Sequence, residues 1–389
     1  MTIYEWMAAR GAVAEGIDAP GCLAKLLGQM DAGLAGRGRI PMLPSYLSTQ
    51  IAVPEGAECA VMDAGGTNLR TARAVYRQGQ WSLEALEKAP MPGTGEELSR
   101  GEFYRRLARP LARLGEYRRV GLCFSYKVSL GRELDGPLDF WCKEVRVPEA
   151  VGKWVGASLR SALGDGCRSV HVLNDSVAAM LGAEGAQVGV ILGTGVNVCY
   201  SERCAGIPKV PADLRSDEMI ISTEVGEFDG FPRSVFEEAV IAGSDAPDSA
   251  IAEKQCSGGY LGHVIAAAWA QARADGLLDT LPPADLGSVS ALLEREPDSP
   301  AGQIAAIAVH RAAKIAAVLC AGPMLRAAGV EKSLRVAVEG SQYWQLTGFR
   351  DAFHRELAQL LPEGVSCEIL RVENACLIGA AKAAWAEVM

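Results

Sequence analysis

A glycine turn that occurs twice constrains this chain more than any other feature. Asp63-Ala64-Gly65-Gly66-Thr67-Asn68 follows the short apolar run Cys59 to Met62, and Gly193-Thr194-Gly195-Val196-Asn197 follows the run Val188 to Leu192. Each run reads as a buried strand, and the residues after each turn can return as a second strand, so two hairpins of similar design recur along the chain. Glycine lets the backbone bend tightly and bring its N–H groups close to an anion, while Thr hydroxyls and Asn amides add donors. A lone turn of this kind is usually only a turn. Two of them, the first opened by a carboxylate, predict a two-sided clamp for a polyphosphate.

The rest of the composition narrows the field. The 389 residues, 49% hydrophobic and 22% charged, leave room for two packed domains of ordinary soluble composition. The formal net charge of -9 comes from 47 acidic and 38 basic residues. With no block of like charge, a broad nucleic-acid or anionic-membrane surface is not expected. The 11 cysteines are odd in number and form no CxxC, which fits buried thiols in a reducing cytoplasm and no zinc site. His171, His263, His310 and His354 show no metal-ligand spacing,. Met1 to Arg10 does not read as a secretory signal, so the expected compartment is the cytoplasm. His310, Arg311, Lys314 and Arg326 interrupt the apolar stretch Ala305 to Ala328, which argues against a membrane span.

Along the chain, Leu23, Leu26, Leu27 and Met30 have helical spacing, and a Gly/Arg break then leads into the rigid connector Pro41-Met42-Leu43-Pro44,. From Cys59 to about Leu86 the pattern is strand, turn, strand, turn, strand. A helix is predicted around Phe103 to Leu114, a strand over Val120 to Phe124, a helix around Ala150 to Leu163 and a strand over Ser169 to Leu173. This alternation is α/β architecture. Asn174-Asp175 ends the last of these strands, with Ser176 as the expected N-cap of the next helix. Beyond the surface stretch Gly243 to Ser249 the chain reads as largely helical to Ala328. A strand over Leu334 to Val338 then leads into Glu339-Gly340-Ser341, and a final amphipathic helix runs from about Asn374. Ligands of α/β proteins gather at strand ends. Asp175 is there a candidate general base, because a carboxylate beside a helix start stays ionised and can accept a proton from a hydroxyl. Its competing role is a helix cap. For Asp63 the competing role is an Asx-turn.

Taken in order, these residues resemble the hexokinase family of sugar kinases within the actin-like ATPase superfamily. The resemblance rests on Met42-Leu43-Pro44-Ser45-Tyr46, Asp63 through Arg70, Phe124-Ser125-Tyr126, Trp141-Cys142-Lys143, Asn174-Asp175 and Gly193-Thr194-Gly195. It continues with Glu224, Gly226 and Phe228, then Glu253-Lys254, Ser257 through Gly262, and Glu339-Gly340-Ser341. It implies a two-lobed, ribonuclease H-like fold with duplicated βββαβαβα cores around a central cleft. The expected parts are residues 1–51 as a helix and connector on the large lobe, 52–175 as the small lobe, 176–371 as the large lobe and 372–389 as a helix returning to the small lobe.

The implied activity is ATP-dependent phosphorylation of a hexose, glucose first, at its 6-hydroxyl. By resemblance, Asp175 is the general base, and Ser125, Lys143, Asn174, Asp175, Asn197, Glu224 and Glu253 bind the sugar. Asp63, Gly65, Gly66, Thr67, Asn68 and Arg70 form the first phosphate motif, with Asp63 holding Mg²⁺ through water. Gly193, Thr194 and Gly195 form the second, and Gly340 and Ser341 the adenosine motif. The expected partners are the hexose and Mg-ATP, with no nucleic acid or membrane, and the expected state is a monomer or homodimer. The chain departs from the family at Lys127, where Pro is usual, at Cys142 in place of Thr, and at Ser222 in place of Asn, changes expected to remove hydrogen-bonding partners. The closing motif Asp-Gly-Ser-Gly-Lys-Gly-Ala-Ala stands here as Asn374-Ala375-Cys376-Leu377-Ile378-Gly379-Ala380-Ala381.

Other enzyme classes lack their signatures. No Gly-x-x-x-x-Gly-Lys-Ser/Thr, Gly-x-Gly-x-x-Gly or Gly-x-Ser-x-Gly occurs,. The main rival is a non-catalytic sugar sensor on the same fold, against which the retained Asp175 and the paired turns argue.

Overall fold

Two helices and a connector precede the first glycine hairpin in this computed structural model, which describes residues 1–141, 145–214, 218–329 and 333–387. Thr2 and Glu5 form a capping box on α1 (Ile3–Ala8),. Asp18 caps α2 (Ala19–Leu34), which buries Leu23, Leu26 and Met30 at the predicted spacing. The connector then supplies a short strand, β1 (Leu43–Pro44).

The first repeat starts with β2 (Glu58–Ala64), β3 (Asn68–Arg77) and β4 (Gln80–Pro90), an antiparallel meander. It continues through α3 (Arg100–Leu111), β5 (Arg119–Phe124), α4 (Val155–Leu163), β6 (Ser169–Leu173) and α5 (Asp175–Gly182). The sheet order is β4-β3-β2-β5-β6, with β5 parallel to both β2 and β6. Two boundaries differ from the sequence expectation. α3 begins earlier because Ser99 caps it, its side chain accepting from the Glu102 N–H,. α4 begins later because Pro148–Ala150 form a separate 3₁₀ turn.

The second repeat has the same order. β7 (Val188–Leu192), β8 (Val196–Arg203) and β9 (Glu218–Ser222) form its meander. A helical stretch follows: α6 (Val235–Ala242), α7 (Ile251–Cys256), α8 (Gly258–Ala274), α9 (Leu286–Arg295) and α10 (Pro300–Ala327). Then come β10 (Ser333–Glu339), α11 (Ser341–Gln345), α12 (Phe349–Ala358), β11 (Ser366–Leu370) and α13 (Ala375–Ala383). The sheet reads β1-β9-β8-β7-β10-β11, the first repeat's topology with β1 added at the edge. The fold is therefore two-lobed, with a duplicated βββαβαβα core.

α10 is long and apolar enough to cross a membrane, but 78% of its most apolar window is buried inside the protein. It is a core helix, packed against α2, α12 and β8. The last helices of the two repeats, α5 and α13, pack against each other with almost no separation. A Cβ on Gly379 would overlap the Ala178 carbonyl, and one on Gly182 would overlap that of Ala375. α13 is also fixed to the first sheet: His171 Nδ1 lies 2.7 Å from Ala383 O, and the Arg119 guanidinium sits 4.6 Å from the centre of the Trp385 ring. His171 is thus structural. The ten described cysteines are all free thiols, nine of them buried.

Candidate active site

Asn174, not Ser176, caps α5. Its backbone is extended (φ -70°, ψ 156°), so the helix begins at the next residue. Asn174 Oδ1 accepts the Ser176 N–H at 2.8 Å and the Ser176 hydroxyl at 2.7 Å. Asp175 therefore occupies the first helical position, where the positive end of the helix dipole favours its ionised form. Its Oδ1 accepts from the Ser176 N–H at 2.8 Å, and the Cys376 thiol on α13 lies 3.8 Å from its carbonyl oxygen.

The second sheet brings Asn197 and Glu224 to this helix start. Glu224 takes up the left-handed conformation (φ 59°), which costs a non-glycine residue about 1–3 kcal/mol and persists only where surrounding bonds impose it. Asn197 imposes it from both ends of its amide. Its Oδ1 accepts the Glu224 N–H at 3.0 Å, and its Nδ2 donates to Glu224 Oε1 at 2.7 Å. The same Nδ2 stands 3.3 Å from Asn174 Oδ1 and 3.0 Å from Ser222 Oγ. The Ser222 hydroxyl donates to Glu224 Oε1 at 2.9 Å, so this departure supplies a hydrogen-bonding partner, contrary to expectation. Burial raises the pKa of the Glu224 carboxyl and the negative charge of Asp175 adds to the rise, while hydrogen bonds from Ser222 and Asn197 and the charge of Lys127 oppose it.

A narrow cavity opens beside this cluster, lined by Ser45, Tyr126, Lys127, Asn174, Ser222 and Glu224 among others. Ser125 lies between Phe124 and Tyr126 of that lining, its backbone N–H donating to Ala64 O at 3.2 Å. Glu253, in the first turn of α7, accepts the Val196 N–H at 3.0 Å. Its carboxylate lies close beneath Gly195, where a Cβ would come within 2.6 Å of Oε2. Cys142 and Lys143 fall outside the described residues.

The second glycine turn packs on Gly340, and the charges of Asp63 and Arg70 beside the first act on Glu339. In the first, Asp63 and Arg70 face each other across β2 and β3, and Arg70 Nε and Nη2 donate to Asp63 Oδ2 at 2.9 and 2.5 Å. Arg70 Nη1 also reaches Asn374 Oδ1 at 3.4 Å. Thr67 and Asn68 are exposed, with Asn68 Nδ2 donating to Thr67 Oγ1 at 3.0 Å. The Tyr126 hydroxyl donates to Gly65 O at 3.0 Å, tying this turn to the cavity wall, and Gly66 follows within the same turn. In the second, the Gly193 N–H donates to Gly195 O at 3.1 Å, and the Gly258 and Gly259 N–H groups donate to the Gly193 and Thr194 carbonyls at 2.8 and 3.0 Å. Thr194 is left exposed. Gly340 (φ 122°) presses on the Leu192 carbonyl, where no side chain fits, and Ser341 begins α11. Burial pushes the Glu339 carboxyl up; the charge of Arg70 opposes this and that of Asp63 reinforces it.

Ser222, Lys127, Glu339, Asn374 and Cys376 join the site without having been singled out as binding residues. Ser222, Lys127, Asn374 and Cys376 all stand at departures from the family pattern, and that was the available signal. The altered closing segment does more than end the chain with a helix, since Asn374 and Cys376 touch Arg70 and Asp175.

Two family models described as hexokinase match nearly the whole chain, one over residues 21–184 and the other over 187–294 and 300–386. Hexokinase-7 of Oryza sativa subsp. japonica is 33% identical over 274 residues, which is 63% of this chain and 58% of the relative. A chloroplastic hexokinase-2 of Nicotiana tabacum is 33% identical over 264 residues, 61% of this chain and 52% of the relative. The matched segment thus spans little more than half the length of these curated relatives. The solved structure of a Schistosoma mansoni hexokinase complexed with glucose superposes with a TM-score of 0.81 at 22% identity, covering 99% of this chain and 100% of the other. By the match of the family models across both repeats, this chain belongs to the hexokinase family.

Proposed function

We propose that this protein transfers the γ-phosphoryl group of Mg-ATP to the 6-hydroxyl of a hexose, with glucose the foremost candidate. The observation that most directly supports this reading is the shared hydrogen-bond cluster of Asn174, Asn197, Ser222 and Glu224 beside Asp175. Sugar hydroxyls buried without partners cost about 1–3 kcal/mol each, and this cluster offers both amide donors and carboxylate acceptors. Asn174 and Glu224 hold ring hydroxyls, with Ser125, Lys143, Asn197 and Glu253 completing the pocket. Asp175, at the start of α5, takes the proton of the primary hydroxyl as that oxygen attacks.

Thr67 and Thr194, on the exposed tips of the two glycine turns, donate to the phosphate chain from opposite sides, as do the backbone N–H groups around them. Gly340-Ser341 approaches the nucleoside. Mg-ATP supplies the phosphoryl group and the charge neutralisation that transfer requires. The donor set fits a water-held Mg²⁺. Asp63 Oδ2 is committed to Arg70, and Oδ1 has no hydrogen bond among the described residues. No group of three or more His, Cys, Asp or Glu side chains able to hold a metal occurs among them either, and Mg²⁺ commonly binds through one or two carboxylates and the nucleotide's own phosphates. In this reading residues 52–175 and 176–371 are lobes that close over both reactants and exclude water, with residues 1–51 and 372–389 as the lead-in and the returning helix.

The test is an ADP-release assay with saturating Mg-ATP across a panel of hexoses, alongside calorimetric hexose titration without nucleotide. Turnover with glucose that depends on Asp175 is expected. A protein that binds hexose yet forms no hexose 6-phosphate is a sensor, and the kinase reading fails.

A further inference from the structure

The cavity beside Asn174 has walls from both repeats. Tyr126 and Lys127 come from the first, Ser222 and Glu224 from the second, and Lys127 is the one cation among the described lining residues. Its Nζ stands 5.5 Å from the centre of the Phe140 ring, a placement that favours a cation over an aromatic face. No carboxylate among the described residues lies within 4.0 Å of that ammonium, so its hydrogen-bonding capacity is not taken up by an ion pair. Glu224, already clasped by Asn197 and Ser222, lines the same cavity.

The negative charge of Asp175 adds to the cost of ionising Glu224,. Among the described residues, the groups that act on Glu224 include Asp175 from α5, Asn197 from β8, Ser222 from β9 and Lys127 from the first repeat. Asn197 and Ser222 are neutral, so of these four Lys127 carries the positive charge. A protonated Glu224 loses one acceptor site to its own proton and accepts sugar hydroxyls less well.

We propose that Lys127 is a positioning residue for the hexose: a cation on the first repeat's side of the cavity that holds a sugar hydroxyl against Glu224 on the second repeat's side. It rests on the hexose-kinase reading above. The arrangement also links capture to closure, because a hexose hydroxyl placed between Lys127 and Glu224 accepts from one lobe and donates to the other. The residue therefore sets hexose affinity and its pH dependence, without touching the phosphoryl group.

The experiment compares wild type, Lys127→Met and Lys127→Arg by steady-state kinetics from pH 5 to 9, with hexose binding measured separately by calorimetry. In Lys127→Met the hexose KM should rise about three- to tenfold at pH 6. The pH below which hexose affinity is lost should move upward, while kcat at saturating hexose and the KM for Mg-ATP stay near wild type. Lys127→Arg should restore the wild-type profile. A Lys127→Met protein whose hexose affinity has the wild-type pH profile overturns the proposal, and so does one in which kcat, hexose KM and ATP KM all deteriorate together. If Lys127→Met does not fold, Lys127→Arg decides alone: an acid limit displaced from wild type by more than half a pH unit counts against the proposal. Wild-type protein that binds no hexose by calorimetry refutes the kinase reading itself, whereas binding that is intact and indifferent to Lys127 refutes only this inference.

Discussion

Asn197 reaches from the second sheet to the first, its Nδ2 donating to Asn174 Oδ1 at 3.3 Å. That acceptor atom is also the cap of α5, so one amide oxygen serves the helix start, the neighbouring lobe and the candidate sugar pocket. The two adjacent residues Asn174 and Asp175 should then be separable by mutation. Asn174→Ala removes the cap and should cost about 1 kcal/mol of stability together with hexose affinity. Asp175→Ala leaves the cap in place and should lower kcat by roughly 10² to 10⁴ with little change in melting temperature. Thermal melts and steady-state kinetics on both variants check this. An Asp175→Ala protein that is folded and turns over at the wild-type rate removes its assignment as base.

The Glu224 carboxyl gives a pH signature of its own. Burial raises its pKa, so between the ordinary carboxylate range and that raised value the folded protein holds more protons than the unfolded chain. Its contribution to stability is then greatest at low pH and is lost as pH rises through the folded pKa. Hexose affinity should have the opposite trend, falling as pH drops through the same window, because the acceptor is being protonated. Calorimetric hexose titrations and denaturant unfolding at matched pH values check the two slopes. Glu224→Gln should abolish both trends.

Thr67 and Thr194 are both exposed, one on each glycine turn. If the turns grip one phosphate chain, Thr67→Val and Thr194→Val should each weaken Mg-ATP affinity and slow turnover by about tenfold, the scale of one lost hydrogen bond to a charged group. Hexose affinity measured without nucleotide should not change. Wild-type nucleotide affinity and turnover in Thr194→Val would exclude the second turn from the clamp.

Away from the cleft, Arg311 on α10 is 3% exposed and Glu237 on α6 is 1% exposed. Arg311 donates to both Glu237 oxygens, at 2.7 and 3.0 Å, and to the Val13 and Pro232 carbonyls. Arg311→Met strands a buried carboxylate and should destabilise the fold by about 3–5 kcal/mol, as measured by chemical denaturation. Kinetic constants per folded molecule should stay unchanged. Adding Glu237→Gln should recover part of the loss.

Of the strands read from sequence, β2, β5, β6, β7 and β10 are largely buried on both faces, with apolar runs that need no partner to be recognised, while β3, β4 and β8 were read as returns from the turns before them. β1 has two residues, β11 is half-exposed, and β4 carries little apolar signal past Leu86. The extent of each depends on the neighbour it pairs with. The same holds within the site. The glycine turns and Asn174-Asp175 are legible because local chemistry and spacing mark them, and Glu224 through the family resemblance. Asn374 is not, since its partner Arg70 lies 304 residues away. Ser176 attracted the cap assignment because serine is a favoured cap, but the backbone turns helical one residue after Asn174, which left Ser176 to donate to the cap.

The glycine contact between α5 and α13 sets the mechanics of the cleft. At their closest points the two helices meet through Gly182, Gly379, Ala178 and Ala375, backbone against backbone, and the joint tolerates no added methyl group. Asp175 at the head of α5 and Asn374 just ahead of α13 flank this seam. If the two lobes close as proposed, a joint of this kind is where a rotation displaces atoms least, and the candidate base keeps its position while the outer walls of the cleft travel.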